Sequence, residues 1–316
     1  MTMQPGANQD ELRVANLPGL IFFSTALLLV AGMASAAAWW WTGNPVWIRS
    51  FFSYAGAVFF IACSALGVWL SIRCWRQFEK GDLLRPAWLL IAAAAIAQLI
   101  GGLLSQVFGL ESWLNPLSWF PRAIAQPLAG RALELGRVFG PVYLIFLACG
   151  LQYVLRAYRR NGIVGRLRMV DALLLGIVIV YTIDFFVTVV FSPGRRGSAF
   201  TVGTVIGWSS DPLLCVLLFQ AMVIRRSIGN MGWGLISRCW LSFTAAIFIT
   251  LVGDIGLWAS AREYIPYGLE MASWYVWFLA SAAYALGPAY QLQAILRATG
   301  GHIREQAAEL AQPALR

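Results

Sequence analysis

Apolar residues along the chain group into long runs, and shorter stretches between the runs hold most of the charged residues. A helix needs about 20 mainly apolar residues to cross the hydrocarbon of a bilayer. The runs lack the two-residue alternation of a membrane barrel. This pattern predicts an all-α, polytopic integral membrane helix bundle of eight transmembrane helices, at 18–41, 51–72, 87–109, 138–156, 170–192, 202–224, 237–259 and 270–291.

Composition supports a lipid-embedded chain. Hydrophobic residues make up 59% of it and charged residues 12%, against about 25% charged residues in soluble domains. A soluble fold of 316 residues could not bury that much apolar surface, so the lipid bilayer is the first partner. We expect an N-terminal arm at 1–17, a membrane domain at 18–291 and a short tail at 292–316.

Basic residues predict the orientation. Of the 23 Lys and Arg residues, 16 fall on the side that holds both termini and 7 on the other. The positive-inside rule then puts the arm and the tail in the cytoplasm, an N-in/C-in topology. The net charge of +9 is thus a topology signal and an attraction to anionic lipid, and no nucleic-acid partner is expected.

Several chemistries lack their usual residues in this sequence. The five cysteines form no CxxC pair, and the one histidine, His302, falls in the tail. Histidine-based metal or haem sites, a Ser–His dyad and glycine-rich phosphate loops therefore have no candidates. We expect no cofactor, no metal and no catalytic residue, and an enzyme is less favoured than a binding protein.

Four acidic residues fall in the outer parts of the apolar runs of the C-terminal half. They are Asp184 in "VYTIDFFVTVV", Asp211 in "GWSSDPLLCVLL", Asp254 in "TLVGDIGLW" and Glu270 at the start of the last run. A charged carboxylate at the bilayer centre costs roughly 2.5–3.5 kcal/mol on insertion scales, so such residues suggest function. All four fall in the outer half of consecutive spans, which makes 170–291 the expected site-bearing half.

Other polar residues accompany these acids. Pro212 removes a backbone donor and predicts a helix kink, which lets Ser210 lie beside Asp211. Tyr181 and Asp184 share one helix face. Together these acidic and hydroxyl side chains form one of two things. They are either an outward-opening, ligand-binding or proton-accepting site, or a set of hydrogen bonds that only holds the helices together.

Two further segments carry expectations. The stretch 110–137 contains Pro116, Pro121 and Pro127, and it predicts a short amphipathic or re-entrant piece on the outer surface. The tail predicts one short charged helix broken at Gly300–Gly301.

The C-terminal half resembles the multi-pass membrane sensor regions that precede diguanylate cyclase or histidine kinase domains in bacterial signalling proteins. The stretches that carry the resemblance are "SSDPLLCVLL", "LVGDIGLW", "EMASWYVWFLASAAYALGP" and "RQFEKGDLLRPAWLL". It implies a bacterial inner-membrane protein, here without an output domain and so acting through a cytoplasmic signalling or assembly partner. The characteristic positions that it implies are Asp211, Asp254, Glu270, Trp274 and Pro288.

Three functions remain open at this point. The first is a stand-alone sensor or signal-transmitting module that binds a cation or small polar ligand in its outer half. The second is a small-solute or proton-coupled transporter that uses the same acids. The third is a structural subunit of a membrane protein complex.

Overall fold

A computed structural model describes residues 6–104, 122–164, 169–190, 209–229, 234–261 and 267–311. All regular structure in these residues is helical. The helices are α1 (Gly6–Thr42), α2 (Val46–Ser50), α3 (Ala57–Gln77), α4 (Leu84–Leu103), α5 (Arg122–Arg160), α6 (Met169–Val190), α7 (Ser210–Gly229), α8 (Leu235–Ala261) and α9 (Tyr267–Ala311). A π-helical turn, Phe51–Gly56, joins α2 to α3.

Six of the described helices are long and apolar enough to cross a membrane. Their apolar segments are Asn16–Thr42, Tyr54–Gln77, Leu84–Leu103, Gly130–Arg160, Ser210–Gly229 and Leu235–Gly256. A shorter apolar stretch, Met169–Val180, belongs to α6. The prediction of an all-helical protein with several helices suited to a membrane is confirmed.

Six helices form a closed ring of contacts in the order α3, α4, α5, α7, α8, α9 and back to α3. Outside this ring, α1 packs against α9, and α6 packs against α7. The ring helices bury leucines completely, among them Leu70, Leu151 and Leu217. By contrast α1 exposes large apolar side chains such as Phe23, at 68%, and this is the kind of surface that lipid covers.

Contacts between named residues give the helix directions. Gly56 lies at Phe278, and the Cys74 thiol donates to the Pro288 carbonyl over 3.4 Å. Because the residue numbers of the two partners rise together from the first pair to the second, α3 and α9 are parallel. In the same way, the pairs Gly140–Ser210 and Gln152–Gln220 show that α5 is parallel to α7. The pairs Gly32–Tyr275 and Val14–Gln293 show that α1 is antiparallel to α9.

The ring has two chemically different ends. One end, which we call the acidic end, holds Asp211 at the start of α7 and Asp254 near the end of α8. The other, the basic end, holds Arg160 at the end of α5, Arg226 in the last turn of α7 and Arg238 in the first turn of α8.

A column of aromatic side chains fills the ring between these ends. Neighbouring ring centroids in the column lie 5.5 to 6.4 Å apart, within the range of favourable aromatic pairs. From the acidic end, the members are Tyr143, Tyr284, Phe243, Trp88, Trp240 and Tyr158. Gly287 allows this packing, because a Cβ atom there would lie 2.5 Å from the Phe243 ring.

Some predicted boundaries are wrong. Residues 122–137 are not a separate surface piece, since they form the first part of α5, with Pro127 inside the helix. A proline removes one helix hydrogen bond, and packing on α4 offsets that loss where Phe139 lies against Gly101. Residues 105–121, with the other two prolines, lie outside the described residues.

The ends of the chain also differ from expectation. Helix α1 begins at Gly6, inside the predicted N-terminal arm. Helix α9 continues through Gly300–Gly301 to Ala311, so the tail is not broken there. A glycine costs a helix only about 1 kcal/mol relative to alanine, which lowers stability without forcing an end.

Candidate functional site

Two carboxyl groups from different helices meet at the acidic end. Asp211 lies in the first turn of α7, and Asp254 lies within the last three turns of α8. Their side chains are in hydrogen-bonding contact with each other. Both residues are half-buried, so the surrounding helices enclose the pair in part.

A contact of this kind has a simple chemical requirement. Two ionised carboxylates are acceptors only, so they cannot hydrogen-bond to each other unless one of them holds a proton. The partial positive charge at the start of α7 stabilises a negative charge on Asp211. The pair can therefore hold one proton, or a small cation in its stead, between two helices.

Aromatic and hydroxyl side chains surround the pair. Asp254 also contacts the side chain of Trp277 on α9, and it interacts electrostatically with Tyr143 and Tyr284. The Tyr284 hydroxyl lies beside Tyr143 and Thr250, although its oxygen makes no hydrogen bond of standard geometry within the described residues. The carboxyl pair is thus connected to helices α5 and α9.

A small cavity of about 20 Å³ lies next to these tyrosines. Its polar lining comes from Ser71, Gln98, Tyr143 and Tyr284, and its size suits one water molecule. Toward the basic end the aromatic column follows, where Phe243 and its neighbours are fully buried. The polar region that starts at the carboxyl pair therefore stops about midway along the ring.

Two of the other predicted residues lie beside the pair. Ser210 directly precedes Asp211, and its oxygen lies 3.9 Å from where a Cβ atom on Gly140 of α5 would be. Pro212 is in the first turn of α7, where a missing backbone N–H costs little. The residues before it, 201–208, on which the predicted kink depends, lie outside the described residues.

The remaining predicted members are described only by their backbone. Tyr181 and Asp184 belong to α6, outside the ring, and Glu270 belongs to the first turn of α9. Their side chains lie outside the described residues. Two of the four predicted acids, Asp211 and Asp254, are thus the ones that the structure brings together.

The structure contains an ion pair at the basic end that the sequence analysis does not predict. Asp171, at the start of α6, pairs with Arg226 of α7, and its side chain is only 4% exposed. The signal was present, because Asp171 opens an apolar run directly after an arginine-rich loop. The sequence analysis takes the arginines as signals of topology and of lipid attraction, so it does not predict this pair, and it does not predict Trp277, Tyr143 or Tyr284 as members of the site.

The described residues contain no group of three or more His, Cys, Asp or Glu side chains that could hold a metal ion. Zinc takes four ligands, and calcium takes six to eight oxygens. Two carboxyl groups with tyrosine and tryptophan neighbours suit a proton or a monovalent cation better.

Comparison of the chain with protein-family models, with curated proteins and with solved structures finds no match. What the protein does must therefore be inferred from its own side chains.

Proposed function

We propose that the chain is a membrane sensor or signal-transmitting module whose Asp211–Asp254 pair takes up a proton or a small cation. The observation that supports this is the contact of two half-buried acids from adjacent helices. Loss of the shared proton or cation leaves two negative carboxylates, so the force between α7 and α8 changes from attraction to repulsion. Its return reverses the change.

Helix α9 is suited to pass such a change along the molecule. Its Trp277 contacts Asp254, and the helix runs unbroken for 45 residues, about 67 Å at 1.5 Å per residue. Helix shifts of about 1–2 Å at packed interfaces are typical of switching proteins. The receiver in this proposal is a cytoplasmic partner that contacts the tail, 292–316.

The membrane setting is part of the proposal. Eight spans with both termini in the cytoplasm would match the alternating directions of the described helices and the arginines at the basic end. In that orientation the acidic end faces outward. The resemblance to bacterial sensor regions favours the bacterial inner membrane.

Transport by the same acids is less favoured. A conducting path would have to pass the aromatic column, where Trp88, Trp240 and Phe243 are 0–2% exposed. Protein in liposomes should therefore show no proton or cation flux that depends on Asp211. Such a flux would reject sensing in favour of transport.

The shared proton can be tested by infrared spectroscopy on purified protein in lipid nanodiscs. We expect a carbonyl band of a protonated carboxyl group in the wild type that is lost in Asp254→Asn. Asp82→Asn is the matched control, because Asp82 is exposed and its oxygen accepts from the Leu84 N–H over 2.8 Å, which an asparagine can also do. Identical spectra for all three proteins would reject the pair as a proton-binding site.

Signal transmission needs a separate measurement. Hydrogen exchange of the tail, compared between two pH values and between sodium and potassium salts, should change in the wild type and stay constant in Asp254→Asn. A tail that responds equally in both proteins would separate the tail from the pair and reject the sensor proposal, even if the shared proton were found.

A further inference from the structure

A groove of about 430 Å³ opens at the basic end, far from the carboxyl pair. Three helices form it: α1 near Pro18 and Phe22, the start of α8, and α9 from Tyr290 to Arg297. It is larger than the cavity inside the ring, and it opens to the outside. Its size is in the range of small-molecule sites.

The groove is basic on one side. Arg238 and Arg297 line it, and both side chains are exposed. The Arg238 guanidinium lies close enough to the Tyr290 hydroxyl to interact electrostatically. No acidic side chain is among the described residues that line the groove, so this described lining carries a positive charge that suits a negatively charged ligand.

Backbone groups add to this charge. Gly234 and Leu235 lie in the lining, where α8 begins. The first N–H groups of a helix have no partner within the helix, and its N-terminus carries partial positive charge. The groove therefore offers several hydrogen-bond donors to a phosphate oxygen: a tyrosine hydroxyl, two guanidinium groups and the backbone N–H groups at the start of α8.

The opposite side of the groove is apolar. Phe22 of α1 is 56% exposed there, beside Pro18 and Gly19. The wall is held in position, because Gln293 Nε2 of α9 donates to the Val14 carbonyl of α1 over 2.9 Å. A groove with a basic side and an exposed apolar side fits a molecule that carries both an anionic group and an acyl chain.

The level of the groove agrees with this chemistry. The apolar segments of α1 and α8 begin at Asn16 and Leu235, so Pro18 and Arg238 lie within one turn of the point where each helix would enter the bilayer. Lipid phosphates lie at that level, and basic pockets between helices on the cytoplasmic side bind anionic headgroups. We propose that this groove binds the phosphate headgroup of an anionic phospholipid, with an acyl chain along α1.

Titration of the full-length protein with short-chain lipids tests the proposal. Dioctanoyl phosphatidylglycerol should bind and raise the melting temperature, whereas dioctanoyl phosphatidylcholine should do so much less. We expect Arg238→Gln and Arg297→Gln each to weaken binding about fivefold, and the double variant about thirtyfold. Arg225→Gln, an exposed arginine of α7 at the same end of the ring, is the matched control and should bind as the wild type does.

Other outcomes would overturn the proposal. Equal binding of the two lipids, or unchanged binding in the double variant, would reject an anionic headgroup site. Inorganic phosphate that binds as tightly as phosphatidylglycerol would make the groove a site for soluble anions and reject the lipid. Should the double variant fail to fold, Arg297→Gln is compared with Arg297→Lys instead: the lysine keeps the charge and should bind more tightly than the glutamine, and equal binding of the two would reject the site. Asp254→Asn should bind lipid normally, so this test is independent of the sensor proposal.

Discussion

At each end of the six-helix ring an aspartate contacts a second ionisable side chain, and the two partners differ in the sign of their charge. At the basic end Asp171 pairs with Arg226. At the acidic end Asp211 pairs with Asp254. The same residue type thus has a stabilising partner of opposite charge at one end and a like-charged partner at the other.

The difference separates a structural pair from a switchable one. Opposite charges in a buried pair remain satisfied over a wide pH range, and removal of either partner leaves the other uncompensated. Two carboxyl groups share a site only while a proton or cation lies between them. The basic end should therefore hold helices together, and the acidic end should respond to its surroundings.

The largest expected effect is at the basic end. Arg226→Met removes the guanidinium that pairs with Asp171, a carboxylate whose side chain is 4% exposed. We expect a loss of about 3 kcal/mol in the free energy of unfolding, measured by denaturant titration in detergent. The neighbouring variant Arg225→Met should change stability by no more than about 0.5 kcal/mol, because Arg225 is exposed.

A double variant sharpens this result. Asp171→Asn combined with Arg226→Met removes both charges, so it should recover part of the loss. Equal losses for Arg226→Met and Arg225→Met would mean that the ion pair does not hold the basic end together, and the contrast between the ends would fail.

An intermediate effect is expected in the aromatic column that separates the two ends. Gly287→Ala puts a Cβ atom 2.5 Å from the Phe243 ring, which is 2% exposed and cannot move freely. Overpacking of this kind costs about 2 kcal/mol. Gly176→Ala on α6, where no atom lies within 4 Å of the new Cβ, should instead leave stability unchanged or raise it by up to about 1 kcal/mol. If both alanines behaved alike, the column would not be closely packed against α9.

The smallest change in stability is expected at the acidic end. In Asp254→Asn the amide can donate to the Asp211 carboxylate in place of the acid proton, so unfolding free energy should change by less than about 1 kcal/mol. The response of the tail to pH and cations should nevertheless be lost. A loss of about 3 kcal/mol or more, as large as the loss expected at the basic end, would show that the acid pair is a structural contact, and the proposed sensing role would be withdrawn.

Reasoning from sequence predicted helices better than it predicted contacts. The long apolar runs identified the helices α1 and α3 to α9, since length and hydropathy are local properties. Boundaries at 122–137 and at Gly300–Gly301 were wrong, because a proline near the start of a helix or a glycine inside it lowers the stability of the helix without forcing it to end. For the site, Asp211 and Asp254 were among the predicted residues, but nothing local indicated that they face each other.

By itself, the sequence determined that the chain is helical, rich in lipid-compatible surface and strongly basic, because these follow from composition and from the spacing of apolar and charged residues. Only the tertiary structure decided which charges meet. Asp211 and Asp254 are 43 residues apart, as their numbers show, and Asp171 and Arg226 are 55 apart. Helix packing brings such residues together through the shapes of whole faces, so the identity of each partner is a property of the packed helices and cannot be read from any one segment.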